Sequence, residues 1–227
     1  MTVDGKGAAM YLAGTAGLDP SGLELSLPEL ISEADPGLRW SRAFGVRRPL
    51  RIEIGVGNSD FLLEVARRDP GFNYLGFEYS RKRVQKFLRR VVRAELMNIR
   101  ILRAEARAAL AEVAAHASVD HFYVNFPDPW PKKRHAKHRL VQPESARLLV
   151  RLLRPGGGLS LRTDSEAYAA QMLEVLEGIA DLRNLAGAGR FSPEPRDAIP
   201  TRYELKYRSE GRSIRYLEYQ LPPTAGG

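Results

Sequence analysis

The residues best suited to chemistry lie between positions 125 and 140. Asp128 stands between Pro127 and Pro129, with Phe126 and Trp130 on either side and a third proline at 131. Positions 132–139 then hold five Lys/Arg and two histidines, without an acid. Three closely spaced prolines exclude a helix or a sheet ladder. A stiff loop that carries an acid, an indole and a cationic run suits a planar base on a phosphate chain. The plainer reading is a proline-rich turn beside a solvated charge run, but ordinary turns rarely combine these parts.

A second constellation starts at Gly55-Val56-Gly57-Asn58-Ser59-Asp60, directly after the apolar run Leu50–Ile54. Gly55 permits a tight turn and Gly57 permits close approach of a ligand to the backbone. Asp60 occupies the place of a third glycine, so the dinucleotide pattern is incomplete, and an acid at a helix start disfavours a pyrophosphate. Glu78 follows Gly57 by 21 positions at the end of another apolar run. At that spacing a carboxylate accepts hydrogen bonds from the ribose hydroxyls of a nucleoside cofactor. The alternative is a strand-end acid facing water.

These residues need a sheet to position them. Buried strands are expected at 50–54, 72–77, 99–102, 119–125 and 159–163, with helices at 61–68, 81–96, 106–115, 143–153 and 167–176 between or after them. Residues 154–158, Arg-Pro-Gly-Gly-Gly, read as a turn, and 182–185 as a sixth strand. Alternation over 212–221 predicts a last, antiparallel strand. Ser80 is placed to cap the helix from 81, which carries seven Lys/Arg and no acid up to position 93. That face either contacts a nucleic-acid backbone or is an idle charged surface. Residues 191–200 read as a proline-rich loop. Residues 1–36 read as a loose tail with a short helical turn near 27–32, residues 37–221 as one domain, and 222–227 as a second tail.

The whole chain has 227 residues, a net charge of +8 and a pI near 9.9. That length holds one sizeable α/β domain, and that charge favours a polyanionic partner, nucleic acid before membrane. Cysteine is absent, which excludes disulfides, a thiolate nucleophile and a zinc ribbon. Four histidines make a weak case for metal, and none is expected. No apolar run approaches a membrane span, and the start is a poor signal sequence, so the default expectation is cytoplasmic.

The run Phe126-Pro127-Asp128-Pro129-Trp130-Pro131-Lys132-Lys133-Arg134-His135 resembles the signature of the bacterial tRNA (guanine-N7-)-methyltransferases. The similarity extends from about Phe44 to Tyr219 and takes in Glu53-Ile54-Gly55-Val56-Gly57-Asn58, Gly76-Phe77-Glu78, Arg162-Thr163-Asp164 and Thr201-Arg202-Tyr203-Glu204. It implies a class I S-adenosylmethionine-dependent methyltransferase fold: α/β, a doubly wound, mostly parallel sheet with an antiparallel last strand. It also implies S-adenosyl-L-methionine as cofactor and tRNA as partner, methylated at N7 of a variable-loop guanine, by a monomer or homodimer. Cofactor contacts would fall to Glu53, Gly55, Glu78, Glu105 and Asp128. Substrate contacts would fall to Lys132, Asp164, Thr201, Arg202, Tyr203 and Glu204, and Asp128 would be catalytic. The resemblance also places a basic tRNA-holding segment near the N-terminus, loosely matched by Arg39, Arg42, Arg47 and Arg48.

Some positions depart from the family pattern. Ser59 replaces a usual glycine and would either crowd the cofactor or cap a helix. Glu105 replaces a usual aspartate. Ala136 and His138 replace residues that are often polar or basic. Lys132, Lys133, Arg134, Lys137 and Arg139 are expected to grip phosphates, with Lys132 nearest the site. Two rivals stand: a nicotinamide-dependent oxidoreductase, and an RNA-binding relative without activity.

Overall fold

The computed structural model describes residues 22–224 apart from 34, 196 and 197. Expectations for residues 1–21 and 225–227 lie outside them. In chain order the elements are β1 (Glu24–Leu25), α1 (Leu27–Ser32), α2 (Pro36–Phe44), β2 (Leu50–Ile54), α3 (Phe61–Arg68), β3 (Asn73–Phe77), α4 (Arg81–Arg93), β4 (Ile99–Leu102) and α5 (Ala106–Val113). They continue with β5 (Val119–Asn125), a 3₁₀ turn (Lys133–His138), α6 (Pro143–Leu152), β6 (Leu153–Thr163), α7 (Glu166–Glu177), β7 (Arg183–Asn184), α8 (Arg202–Ser209) and β8 (Arg215–Gln220).

The strands form one sheet in the order β1-β4-β3-β2-β5-β6-β8-β7. Pairing is parallel from β1 to β6, and β8 runs antiparallel to both β6 and β7. The order reverses at β2, whose neighbours are β3 and β5. In open α/β sheets ligands bind at such a switch point, beyond the strands' C-terminal ends.

Successive side chains on a strand face opposite sides, and the core divides accordingly. Leu50, Ile52 and Ile54 join α2, α5, α6 and α7 in one apolar cluster. Tyr74, Ile99 and Ile101 face α3 and α4 in the other. Among the described residues only these two helices contribute to that second cluster, and Leu185, Ser192, Pro193 and Ile199 lie against part of the β5–β6–β8 half of this face. There a cavity of about 610 Å³ has His121, Ser160 and Glu218 in its lining. His121 Nε2 and Ser160 Oγ lie 2.7 Å apart, and Ser160 donates to Glu218, so the three join β5, β6 and β8. Burial holds the His121 pKa down to about 4, so the ring is neutral near pH 7.

Three expectations are corrected, and one helix is added to them. Within the described part of residues 1–36 the chain is not loose: Leu23 and Leu30 are buried, and Glu24–Leu25 pairs with Ile101 and Leu102. Residues 154–158 lie inside β6 instead of forming a turn before it. There Gly156 N–H bonds to Leu221 O, and a Cβ at Gly157 would come within 2.8 Å of Arg154 O and 3.0 Å of Asp120 O. Glycine thus lets the bulged strand lie against β5. The sixth strand is only two residues long. Finally, the 191–200 loop delivers residues 201–204 as the start of α8, a helix that the proline-rich approach concealed.

Among the described residues no helix is long and apolar enough to cross a membrane.

Candidate active site

The C-terminal ends of β2 and β3 bring Glu53 and Glu78 to the glycine turn. Gly55 and Val56 N–H groups both bond to Phe77 O, which ties the turn to the next strand. Gly55 has φ +82, with nothing within 4 Å of a built Cβ, so the chain leaves open space there. Glu53 is 1% exposed. Its Oε1 accepts from Asn125 Nδ2 at 2.8 Å, while Oε2 is buried and has no partner. Burial pushes this carboxyl up to about 7, against the lowering effects of the Asn125 bond and the Arg162 and Arg90 charges. An orphaned carboxylate oxygen in a dry setting needs a donor or a cation.

Glu78 is also buried, and accepts from Gly57 N–H at 3.1 Å and Ser80 N–H at 2.8 Å. Carboxylate oxygens have further lone pairs, so these bonds aim Glu78 and leave it able to accept from hydroxyls. Ser80 holds the N-cap position of α4 without a side-chain cap bond, contrary to expectation; its N–H is given to Glu78 instead. Ser59 is buried and its hydroxyl accepts from Phe61 N–H at 3.1 Å, just ahead of Asp60, which holds the N-cap position of α3.

Asp60 does not serve a pyrophosphate. Its Oδ1 pairs with Arg90 of α4 and its Oδ2 accepts from Arg202 Nε of α8 at 2.9 Å. Glu105 is placed differently from Glu53 and Glu78. It is half exposed, caps α5 through Ala108 N–H at 2.9 Å, pairs with Arg107, and lines a groove with Lys137 and Gln142.

The proline loop leaves β5 with Phe126 N–H bonded to Arg162 O at 2.8 Å. Phe126 and Trp130 both adopt left-handed backbone, at φ 50 and φ 41. Asp128 is exposed, and its Oδ1 accepts from Trp130 N–H at 3.0 Å, an Asx turn that fixes the second of these residues. Phe126 lies 6.4 Å from Tyr203 and 5.6 Å from Tyr207 between ring centroids, so loop and α8 share an aromatic surface. Trp130 packs instead on His135 and His138. Arg139 is corrected from phosphate gripper to anchor. It is 8% exposed, donates to Pro129 O at 2.8 Å and lies over the Tyr168 ring. Lys132, Arg134 and Lys137 remain exposed; the Lys133 side chain lies outside what is described.

The expected substrate quartet divides. Thr201 is buried and caps α8 by accepting from Glu204 N–H at 3.0 Å. Glu204 is fully buried, bonded to Arg162 at 3.0 Å, Arg208 at 2.6 Å and the Tyr216 hydroxyl. Arg202 is exposed and Tyr203 half buried. Asp164 closes β6 and pairs with Arg212, which stacks over Tyr207. Sequence reasoning did not assign Asn125, the Arg162–Glu204 pair or the Asp60 bridge. An arginine inside a strand just before its Thr163-Asp164 end was the one available signal, since such a cation must find a buried acid.

Comparison with known proteins agrees with this geometry. The family described as "Putative methyltransferase" matches residues 47–217. The chain is 41% identical over 201 residues to the tRNA (guanine-N(7)-)-methyltransferase of Alkalilimnicola ehrlichii, covering 87% of this chain and 84% of that one. It is 34% identical to the protein of the same name from Geobacter metallireducens, covering 87% and 95%. Among solved structures, the aminoglycoside resistance methyltransferase NpmB1 superposes with a TM-score of 0.56 at 19% identity, over 81% of this chain and 92% of that one. A 16S rRNA methyltransferase, KamB, gives 0.56 at 15% identity, over 82% and 94%. These two likenesses concern the fold alone. An acid-ended glycine turn at the switch point, a proline-framed aspartate in the loop after the neighbouring strand and matches over most of the length agree: the chain belongs to the tRNA (guanine-N(7)-)-methyltransferase family.

Proposed function

We propose that this protein transfers a methyl group from S-adenosyl-L-methionine to N7 of a variable-loop guanine in tRNA, forming 7-methylguanosine in the cytoplasm. The observation that carries this reading is the adjacency of two differently equipped edges. One holds Glu53 with an unpartnered buried oxygen beside an open glycine turn. The other holds Asp128 on a stiff loop that shares aromatic rings with α8.

The residues present fit the cofactor. Glu53 Oε2 would receive one of its donors or its positive charge, Glu78 its ribose hydroxyls, and Gly55 would leave it room. When bound, S-adenosylmethionine supplies an electrophilic methyl group on a sulfonium. Glu105, half exposed at the end of β4, would contact its adenine end.

Guanine N7 carries an in-plane lone pair and no proton, so no side chain has to act as base. The work left to the protein is alignment, desolvation and charge. Asp128 would face the purine as it becomes cationic, and accept N1–H or the exocyclic amine. Phe126 and Tyr203 would hold the ring; base–aromatic stacking is worth about 1–3 kcal/mol. Arg202 and Asp164 would border the substrate, while Thr201 and Glu204 hold α8 in place. Lys132, Arg134 and Lys137 would bind phosphates near the base, and the guanine would leave its stack to enter. Residues 37–221 would form one catalytic domain.

Labelled methyl transfer to unmodified tRNA, followed by nucleoside digestion, tests this. The expected product is 7-methylguanosine. Label in any other nucleoside, or none at all, overturns the assignment.

A further inference from the structure

Helix α4 carries a cationic face that the site described above does not use. Its buried stripe is Val84, Phe87, Leu88 and Val91. Lys86, Arg89, Arg90 and Arg93 lie on the side away from it, spaced by three, four and seven residues, which puts them on one helical face. Together with Asn58 and Arg202 they line a cleft of about 430 Å³ between α4 and the start of α8.

The ion pairing within this cleft is uneven. Arg90 is bound to Asp60 and donates to Asn58 O at 3.0 Å, and Arg202 is bound to Asp60 from the other side. One carboxylate therefore pins both walls. Lys86, Arg89 and Arg93 are exposed and pair with no acid among the described residues. On the same helix Arg83 and Arg90 do have acidic partners, Glu78 and Asp60. Three adjacent unpaired cations repel one another, and α4 contains no acid to offset them. This arrangement is favourable only when an outside anion neutralises it.

We propose that the α4–α8 cleft is a second RNA-backbone site, which takes a short run of successive phosphates on Lys86, Arg89 and Arg93 beside the cofactor turn. The α-helix rises about 1.5 Å per residue, so Lys86 and Arg93 stand roughly 10 Å apart along the axis, more than one phosphate spans. Among the described residues its lining is cationic apart from Asn58, which suits phosphates, and phosphate contacts position RNA without selecting sequence. Arg202 forms one wall, and its neighbour Tyr203 joins the aromatic surface with Phe126. RNA held here would approach the proline loop from the side opposite its own cations. The inference rests on the RNA substrate proposed above, but its test does not depend on methyl transfer.

The experiment compares the full-length protein with a K86A/R89A/R93A variant, measuring equilibrium binding of unmodified tRNA across a salt series and single-turnover methyl transfer at saturating tRNA. Alanine favours helix at these exposed positions, so the fold is retained. Losing three phosphate contacts lowers the slope of log affinity against log salt by about 2–3. Between about 50 and 200 mM salt, that makes the variant's loss of affinity roughly 20–40-fold smaller than the wild type's. Cofactor affinity and the single-turnover rate stay at wild-type levels. An R89K/R93K variant, which keeps the charge, keeps the slope. An unchanged slope in the alanine variant overturns the cleft even if methyl transfer is normal. A reduced slope supports the cleft even if the wild type methylates no tRNA, in which case the proposed activity alone fails.

Discussion

Replacing Asp128 with asparagine separates charge from geometry at the centre of the site. In the structure Asp128 Oδ1 accepts the Trp130 N–H at 3.0 Å, and an asparagine amide oxygen can keep that bond. Keeping it matters, because Phe126 and Trp130 flank the turn in left-handed backbone, a conformation that costs of order 1–3 kcal/mol per residue. The turn bond lies at an exposed position, so its own contribution sits near the low end of about 0.5–1.5 kcal/mol. The lost charge acts on a different quantity. One preorganised group aimed at developing charge is worth about 10²–10³ in rate, or roughly 2.7–4 kcal/mol. Asp128→Asn is therefore expected to slow single-turnover methyl transfer by about 10²–10³-fold, with melting temperature and tRNA affinity nearly unchanged, since phosphate contacts carry most of that affinity. Asp128→Ala is expected to show the same loss of rate with a small additional drop in melting temperature. Rate, affinity and melting are read on one preparation with labelled cofactor. Near-normal turnover in a well-folded asparagine variant would refute the electrostatic role, and the aspartate would then be only the clasp of its turn.

Three further outcomes are expected. Glu78→Ala weakens cofactor binding by about 1–3 kcal/mol in calorimetry, the scale of a charge-assisted hydrogen-bond pair; unchanged affinity removes it from the ribose site. Glu53, raised from 4.5 to about 7 by burial, binds a proton in the folded chain that the unfolded chain has released between those values. Stability of the cofactor-free protein therefore falls as pH rises through that window, by roughly 3 kcal/mol in total, and Glu53→Gln abolishes the fall; identical pH–melting curves for the two proteins contradict this. Glu204→Ala leaves Arg162 buried without its acid and costs about 3–5 kcal/mol, seen as a large drop in melting temperature; a small change would mean that water or the Ile199 carbonyl suffices for Arg162.

Strand and helix positions were legible wherever period and punctuation agreed. Leu50–Ile54, Phe61–Arg68 and Val119–Asn125 fall at the expected residues because apolar runs there end at a glycine, an acid or a proline. Helix α8 was not legible. Its stretch, Arg202–Ser209, has a weak apolar stripe, and its one fully buried side chain is a glutamate. A helix held by an ion pair leaves little hydrophobic period to read. The same limit hid the role of Arg139, whose place in a cationic run suggested solvent, whereas Pro129 O, Gln171 and the Tyr168 ring draw it inward. Long-range partners of a charged side chain leave no mark in local sequence.

Helix α8 links the two halves of the site. Adjacent residues on an α-helix point about 100° apart, and its first two use that angle. Arg202 reaches Asp60 at 2.7 Å, beside the glycine turn, while Tyr203 meets Phe126 at the base of the proline loop. Behind them Glu204 is held by Arg162, whose guanidinium lies over the Phe61 and Tyr216 rings. Asp60 thus gains a function where a dinucleotide enzyme would need glycine. With a phosphate-free cofactor, as proposed, a carboxylate at the start of α3 is free to tie the proposed cofactor edge to the proposed substrate edge. The cost is that the buried Arg162–Glu204 pair becomes indispensable to the position of both. Loss of Glu204 should therefore disturb Arg202 and Tyr203 together, and the change at Asp128 should disturb neither.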